Sequence, residues 1–485
     1  MTQHQHAREH IVVPSVALTG QMDLLASTLQ KIRDDLELSE GFPAEVDAEA
    51  APTVAAVMLP ADDLTAIEFV TIDPDGATDL DQAVHIARSA DGFVVSYAIA
   101  DVPLFVPPGG AVDAESRRRG QTIYAPDGRI PLHPTVISEG AASLLAGEIR
   151  SAFVWRFELD AATRVTATTL HRARVRSRRQ LSYAEAQASI DDGSAPESLA
   201  LLKAVGLGRL ALERERGGAS LNLPDEEISF ADGRYLLVRR SPLPVEGWNA
   251  QVSLMTGMAA AAIMIEGGTG ILRTMPSPDA ETLDDFRNRV AAIGCPWPAE
   301  QPYGEYLRGL DSANPKGLAA INAAGSLFRG AGYTAFDGEA PAERLQAAVA
   351  APYAHTTAPL RRLVDRFVLV TCEALVAGRA VPEWVREALP TLPKLMGKSD
   401  GVASAVDRQS LDAIEAALLV DRVGEVFDSV VISVKIGDGR AAAGVIQLTD
   451  PVVTARVEGT VAAGQSIRAT LVSADIATGA VVFRV

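Results

Sequence analysis

The chain has little cysteine, little positive charge and no long uncharged apolar run. Only two cysteines occur in 485 residues, Cys295 and Cys372. That excludes a disulfide framework and leaves no zinc-ligand spacing; it fits a reducing compartment, and the expected location is the cytoplasm. Lysine and arginine number 44 against 62 aspartate and glutamate, a net charge of -18. Such a balance excludes a protein that coats polyanions by bulk charge, although it allows a local basic channel. No apolar stretch reads as long and charge-free enough to span a bilayer. The best, residues 254–265, is expected as a buried helix, so no membrane partner is expected. The N-terminal MTQHQHAREHIVV lacks a signal-peptide pattern. No internal repeat and no low-complexity tract stands out. The hydrophobic share of 48% is enough for a sizeable core. The length suits one large domain with one or two small ones.

The most informative stretch is residues 67–84, IEFVTIDPDGATDLDQAV. An apolar run ends in Asp73, Pro74-Asp75-Gly76 reads as a turn, and Asp79 and Asp81 alternate before a second apolar run begins at Ala83. Clustered carboxylates at a strand end repel one another unless a cation sits among them. A hard divalent ion with oxygen ligands is the natural candidate. Asp79 and Asp81 share a face on an extended segment. An EF-hand reading fails, because its ligand and glycine positions fall on Ala77, Thr78 and Val84. A solvated acidic turn is the bland alternative.

Along the chain, residues 1–60 read as a small separate helical unit, with helices over 21–38 and 44–58 that could form a helix-turn-helix. Residues 61–240 alternate β-type runs, notably 93–100, 151–159 and 166–175, with helical spacing at 114–119, 183–190 and 199–216. Residues 245–420 are mostly helical, with segments at 248–265, 280–293, 315–330, 342–351, 353–376, 382–389 and 404–419. Residues 421–485 change to five β-branched runs separated by turns at 437–439, 458–459 and 463–464, which suggests an OB-type barrel. The expected class is α+β.

Five collinear blocks resemble the RNase II / RNase R family of exoribonucleases, the family with the RNB catalytic domain. They are IDPDGATDLDQA, the block from YAIADVPLFVPPGG to TIYAPDGRIPLHP, RVRSRRQLSYAEA, YAHTTAPLRRLVDRF, and the C-terminal VGEVFDSVVISVKIGDGRAAAGVIQL. The last is similar to the S1 OB module. The resemblance covers roughly residues 65–485. It implies an RNB-type catalytic domain over 61–420, a mixed β core surrounded by helices, and an S1-like RNA-binding barrel over 421–485. The family's two N-terminal cold-shock domains do not fit in the first 60 residues.

What the resemblance implies about chemistry is specific. Asp73 and Asp79 fall on Mg²⁺ ligands, with Mn²⁺ as a substitute, and Asp81 falls on the carboxylate tied most closely to cleavage. Gln82 stands where the family has a fourth aspartate, and its carbonyl would be a neutral, weaker ligand. Tyr124 falls on a tyrosine that stacks a base near the RNA 3′ end, and Arg361 on the arginine that grips the scissile phosphate. The partner phenylalanine of that tyrosine has no counterpart near residues 273–278. Arg362, Arg176 and Arg178 are expected at the RNA. His355 and His133 are expected to be structural, and Met255, Met258 and Met264 core. The implied activity is processive 3′→5′ hydrolysis of single-stranded RNA to nucleoside 5′-monophosphates. Structured RNA with a 3′ overhang is a further expected substrate, and a monomer the expected state. The alternatives are a catalytically weakened RNA-binding protein, signalled by Gln82, and a DNA-binding regulator using the N-terminal helices.

Overall fold

The computed structural model describes residues 11–12, 21–219, 225–231, 234–240, 242–312, 314–435 and 443–485. The turn expected at 437–439 lies outside them. The fold is α+β. Its centre is a closed five-stranded barrel: β1 (Phe69–Asp73), β2 (Gln82–Arg88), β3 (Gly92–Ala100), β4 (Ile149–Asp160) and β5 (Val165–Ser182). Neighbours are antiparallel except β1 and β5. An odd number of alternating strands can close only through one parallel pair, and here the closure sets Asp73 opposite Ser182. The period of two sorts side chains onto two sides of the sheet. Tyr97, Ile99, Phe153, Trp155 and Phe157 enter one core cluster; Ala98, Ala100, Ala152, Val154, Ala173 and Val175 enter another. Both faces are therefore covered over the middle of β3 and β4, while Arg156 and Glu158 near the end of β4 are exposed. Full burial of Phe153, Trp155 or Phe157 contributes on the order of 2–3 kcal/mol each.

A second closed barrel ends the chain: β6 (Val426–Lys435), β7 (Ala443–Leu448), β8 (Thr454–Glu458), β9 (Ser466–Asp475) and β10 (Ala480–Arg484). Its order is β6-β7-β8-β10-β9, closed by a parallel β8–β10 pair, the OB arrangement. Phe427, Val431, Ile446, Leu448, Val457 and Phe483 fill it.

The N-terminal helices, α1 (Met22–Asp35) and α2 (Ala44–Ala56), do not form the separate unit expected from sequence. Leu25, Leu29 and Ile32 of α1 pack with Ile123, Ile130, Ile414 and Ile476; Val46 and Ala50 of α2 pack with Phe69, Leu80 and Val112. Glu49 of α2 also accepts the Ala111 and Val112 amides at 2.6 and 3.1 Å, capping α3 (Ala111–Arg119). Each helix spends its apolar face on a different part of the body, so no helix-turn-helix is presented.

Three other expectations change. Helix α4 (Pro244–Gly267) is long and apolar enough, by length and composition, to cross a membrane, contrary to the sequence reading. Part of its apolar surface enters the core, where Trp248, Val252, Met255, Ala260 and Met264 are buried, while Met258, expected in the core, is only partly buried. Residues 342–351 are not helical. They form short strands, Leu345–Gln346 and Ala351–Pro352, because Met275 exchanges backbone hydrogen bonds with Leu345 and Ala347, and Ala350 takes a positive φ of 53°. The helix expected at 404–419 starts earlier, as Leu392–Leu419.

Candidate active site

The chain leaves β1 at Asp73, crosses the barrel mouth and re-enters at Gln82. Gly76 turns the loop with a φ of 75°, a value that favours glycine. Gln180 of β5 donates to the Ala77 carbonyl at 2.7 Å. Ser143 donates to the Thr78 carbonyl at 2.7 Å and accepts from the Leu80 amide at 3.0 Å. Leu80 is wholly buried. With Leu80 anchored inward, its neighbours Asp79 and Asp81 are fixed at the mouth.

The three carboxylates differ. Asp81 is 4% exposed, and burial drives its pKa well up despite the Arg361 guanidinium. One oxygen accepts from the Leu360 amide at 2.8 Å; the other lies 3.8 Å from Arg361 Nε. Burial, helped by the Asp79 charge and opposed by Arg361, pushes Asp73 from 3.8 to about 7. Its Oδ2 is buried and has no hydrogen-bond partner. Asp79 is taken on both oxygens: Arg129 donates to Oδ1 at 2.9 Å and the Tyr124 hydroxyl donates to Oδ2 at 3.2 Å.

Tyr124 and Arg129 face each other across a hairpin of Ile123–Ala125 and Gly128–Ile130. Tyr124 is 47% exposed as a residue, while its hydroxyl is raised in pKa by burial and by Asp79. Arg129 also donates to Thr78 at 2.6 Å and pairs with Glu139 at 2.7 Å. Arg129 and Glu139 were not anticipated. The hairpin turns at Pro126-Asp127, and the pairing of Ala125 with Gly128 sets Tyr124 opposite Arg129.

The expected ligand cage is not preassembled. Among the described residues no three histidine, cysteine or acidic side chains group as a metal site. The reason is local competition: Arg129 draws off Asp79, Leu360 and Arg361 hold Asp81, and the buried Tyr97 hydroxyl donates to the Gln82 carbonyl oxygen. The Gln82 carbonyl oxygen, expected as a weak neutral ligand, thus already accepts one hydrogen bond. The donor set nonetheless fits a hard divalent ion. The unpartnered Asp73 Oδ2 and the Asp81 and Asp79 carboxylates are oxygen donors whose charges couple to one another.

Arg361 and Arg362 separate sharply. Asp365 accepts from the Ala358 amide at 2.7 Å and from Arg362 Nε and Nη2 at 3.0 and 2.9 Å. This clamp at the start of α5 (Leu363–Val376) fixes the turn that turns Arg361 outward, 46% exposed. Arg362 itself is 18% exposed and locked. It holds the loop through Asp365, where an RNA contact was expected. Arg366, fully buried, pairs with Asp113 of α3 and stacks near Phe367. Of the two histidines expected as structural, His133 is buried, its Nδ1 3.0 Å from the Ser116 hydroxyl, and His355 is partly buried, its Nδ1 2.8 Å from the Tyr333 hydroxyl. Burial and Arg366 push His133 down to about 3, and burial with Arg362 lowers His355.

Arg176 and Arg178 lie on the outward face of β5, alternating with buried Val175 and Ser177. Arg178 donates to the Thr65 carbonyl at 2.8 Å. Neither is brought to the acidic mouth. In place of a second aromatic near 273–278, Arg273 lies 4.5 Å from the Tyr333 ring centroid, and the Tyr333 hydroxyl is 2.8 Å from His355 Nδ1.

Fold and site together define an α+β protein with a buried acidic barrel mouth and a tethered OB barrel. The RNB domain model matches residues 61–378, and the model of the RNase II-type exonuclease C-terminal S1 domain matches 425–485. The chain belongs to the RNB family. Similar proteins include ribonuclease R of Thermotoga maritima, 25% identical over 83% of this chain and 60% of that one. Another is the exosome complex exonuclease RRP44 homolog A of Arabidopsis thaliana, 28% identical over 63% of this chain. The chain spans about a third of that relative's length, 34%. In fold it matches the apo form of Mycoplasma genitalium RNase R with a TM-score of 0.84 and 17% identity, over 95% of this chain and 78% of the other. It also matches yeast Ssd1, described as a pseudonuclease, with a TM-score of 0.72 and 16% identity, over 90% of this chain and 56% of the other.

Proposed function

We propose that the protein is an exoribonuclease that hydrolyses single-stranded RNA processively from its 3′ end to nucleoside 5′-monophosphates, using Mg²⁺ or Mn²⁺. The observation that carries this reading is the meeting of Asp73, Asp79, Asp81, Tyr124 and Arg361 at one barrel mouth. Among the relatives, that of Thermotoga maritima is named ribonuclease R and that of Aeromonas hydrophila exoribonuclease 2, and solved RNase R neighbours were captured with single-stranded and with double-stranded RNA. RNA with a 3′ overhang is therefore included as a substrate. We place the enzyme in the cytoplasm as a monomer.

The division of labour follows from the geometry. Arg361 offers a planar fork to the phosphate oxygens, and the Arg362–Asp365 clamp keeps it extended. Asp81, 3.8 Å from Arg361, orients that fork. The exposed ring of Tyr124 stacks a base without regard to its identity, a contact worth about 1–3 kcal/mol. Asp73, Asp81 and Asp79 would hold the divalent ion. When bound, the ion supplies an activated water and relieves charge on the scissile phosphate. The β6–β10 barrel adds an OB surface for the RNA upstream.

A second reading, an RNA-binding protein with weakened catalysis, is favoured by Gln82 in place of a carboxylate and by Arg129 on Asp79. One experiment separates them. With labelled single-stranded RNA and Mg²⁺ or Mn²⁺, the enzyme reading expects mononucleotide release that Asp81→Asn abolishes while RNA binding persists. Binding without release under either metal establishes the second reading.

A further inference from the structure

The site contains a cation of its own. The Arg129 guanidinium bridges Asp79 Oδ1 at 2.9 Å and Glu139 Oε1 at 2.7 Å, and it donates to Thr78 Oγ1 at 2.6 Å. Thr78 in turn donates to Glu139 Oε2 at 2.9 Å, closing a ring of partners around the guanidinium. Arg129 sits on the strand opposite Tyr124, whose hydroxyl holds the other oxygen of Asp79. Asp79 is thus pinned from one hairpin at both oxygens. The same site has a glutamine at position 82, its carbonyl accepting from Tyr97. The acidic set thus has a neutral side chain at position 82 and a guanidinium beside Asp79. By contrast, Asp73, the last residue of the barrel strand β1 and electrostatically coupled to Asp79, has a buried oxygen with no partner.

We propose that Arg129 is a resident counter-cation that competes with the divalent metal for Asp79, so that metal loading requires Asp79 to exchange Arg129 for the ion. Glu139 is the element that makes the exchange feasible, because it keeps a carboxylate on the guanidinium after Asp79 leaves. Arg129 is a positioning residue: it acts through Asp79. The consequence is a site that is self-neutralised when empty and that takes up its metal weakly. The proposal rests on the metal-dependent reading given above.

The test is Mn²⁺ binding to the intact protein without RNA, by calorimetry and by the loss of the free-ion electron paramagnetic resonance signal. Arg129→Gln is expected to tighten binding about tenfold or more, with Arg129→Lys between it and the wild type, since lysine keeps the charge but loses the bidentate fork. Glu139→Gln is expected to weaken binding, because Asp79 is then the only carboxylate on Arg129. The double variant discriminates. If Glu139 acts through Arg129, its effect disappears in the Arg129→Gln background. If Glu139 only adds long-range negative charge, its effect persists at full size, and the proposal fails. Mn²⁺ binding by the wild type with no tightening in a folded Arg129→Gln protein also overturns it, while leaving the nuclease reading in place. Absence of Mn²⁺ binding in the wild type and in every variant overturns the metal reading itself and the exchange with it.

Discussion

Asp73→Asn should make the metal-free protein more stable, and more so as the pH rises. The carboxyl titrates near 3.8 in the unfolded chain and near 7 in the fold, chiefly through burial with Asp79 alongside. Because the folded value is the higher one, the protonated form is favoured by folding. Its contribution is intact below about pH 4 and is lost as the pH rises through 7. At 1.36 kcal/mol per pH unit of displacement, the wild type pays roughly 2 kcal/mol at pH 5 and up to ~4 kcal/mol at pH 8. Asparagine has nearly the same shape and no charge to bury, so the variant escapes that cost. Its advantage over the wild type should therefore grow by about 2–3 kcal/mol between pH 5 and pH 8. With roughly 2.1 cal/mol/K of unfolding entropy per residue, this is a shift of a few degrees in melting temperature. The assay is thermal and urea unfolding of both proteins in chelator across that pH range. Adding Mn²⁺ at pH 8 should then stabilise the wild type and leave the variant nearly unmoved. A variant that is less stable at pH 8, or a difference that does not change with pH, would refute the account of Asp73 as an unpartnered buried carboxylate.

Two further outcomes divide structural from chemical roles. Arg361→Met should leave the melting temperature nearly unchanged and lower turnover by roughly 10²–10³. Arg362→Met should instead destabilise by about 3 kcal/mol, since Asp365 is left buried without its cation, and unfolding curves of the two variants side by side would show it. Tyr124→Phe should keep most affinity for short single-stranded RNA because the ring remains, whereas Tyr124→Ala should lose about 1–3 kcal/mol of it. Equal losses in a fluorescence-anisotropy titration would mean that the hydroxyl on Asp79, and not the ring, carries the contact.

The barrel strands were legible from residue type and alternation: FVVSYAIA is rich in β-branched and aromatic residues and buried from Val95 to Ala100, and SAFVWRFEL alternates at its end, Arg156 and Glu158 exposed between buried Trp155, Phe157 and Leu159. The C-terminal barrel was legible from its spacing of short strands and glycine turns. Residues 342–351 were misread because alanine and leucine suit a helix unless a neighbouring strand claims their backbone, as Met275 does. Helix α1 was placed correctly, but its docking was not. Its apolar face says that it must be buried and says nothing of against what.

For the site, the sequence by itself determined which side chains are available: Asp73, Asp79 and Asp81 at fixed spacing, Tyr124, Arg361, and the glutamine at 82. These follow from local covalent order and from the recurrence of whole blocks. Only the tertiary structure decided which of them are free. Asp79 is held by Arg129, fifty residues on, Gln82 by Tyr97, and Arg362 by Asp365, while Asp73 is left with an open oxygen. The reason is that a hydrogen bond or an ion pair depends on separations of about 3 Å, set by barrel closure and hairpin register, and these are distances that spacing along the chain does not encode.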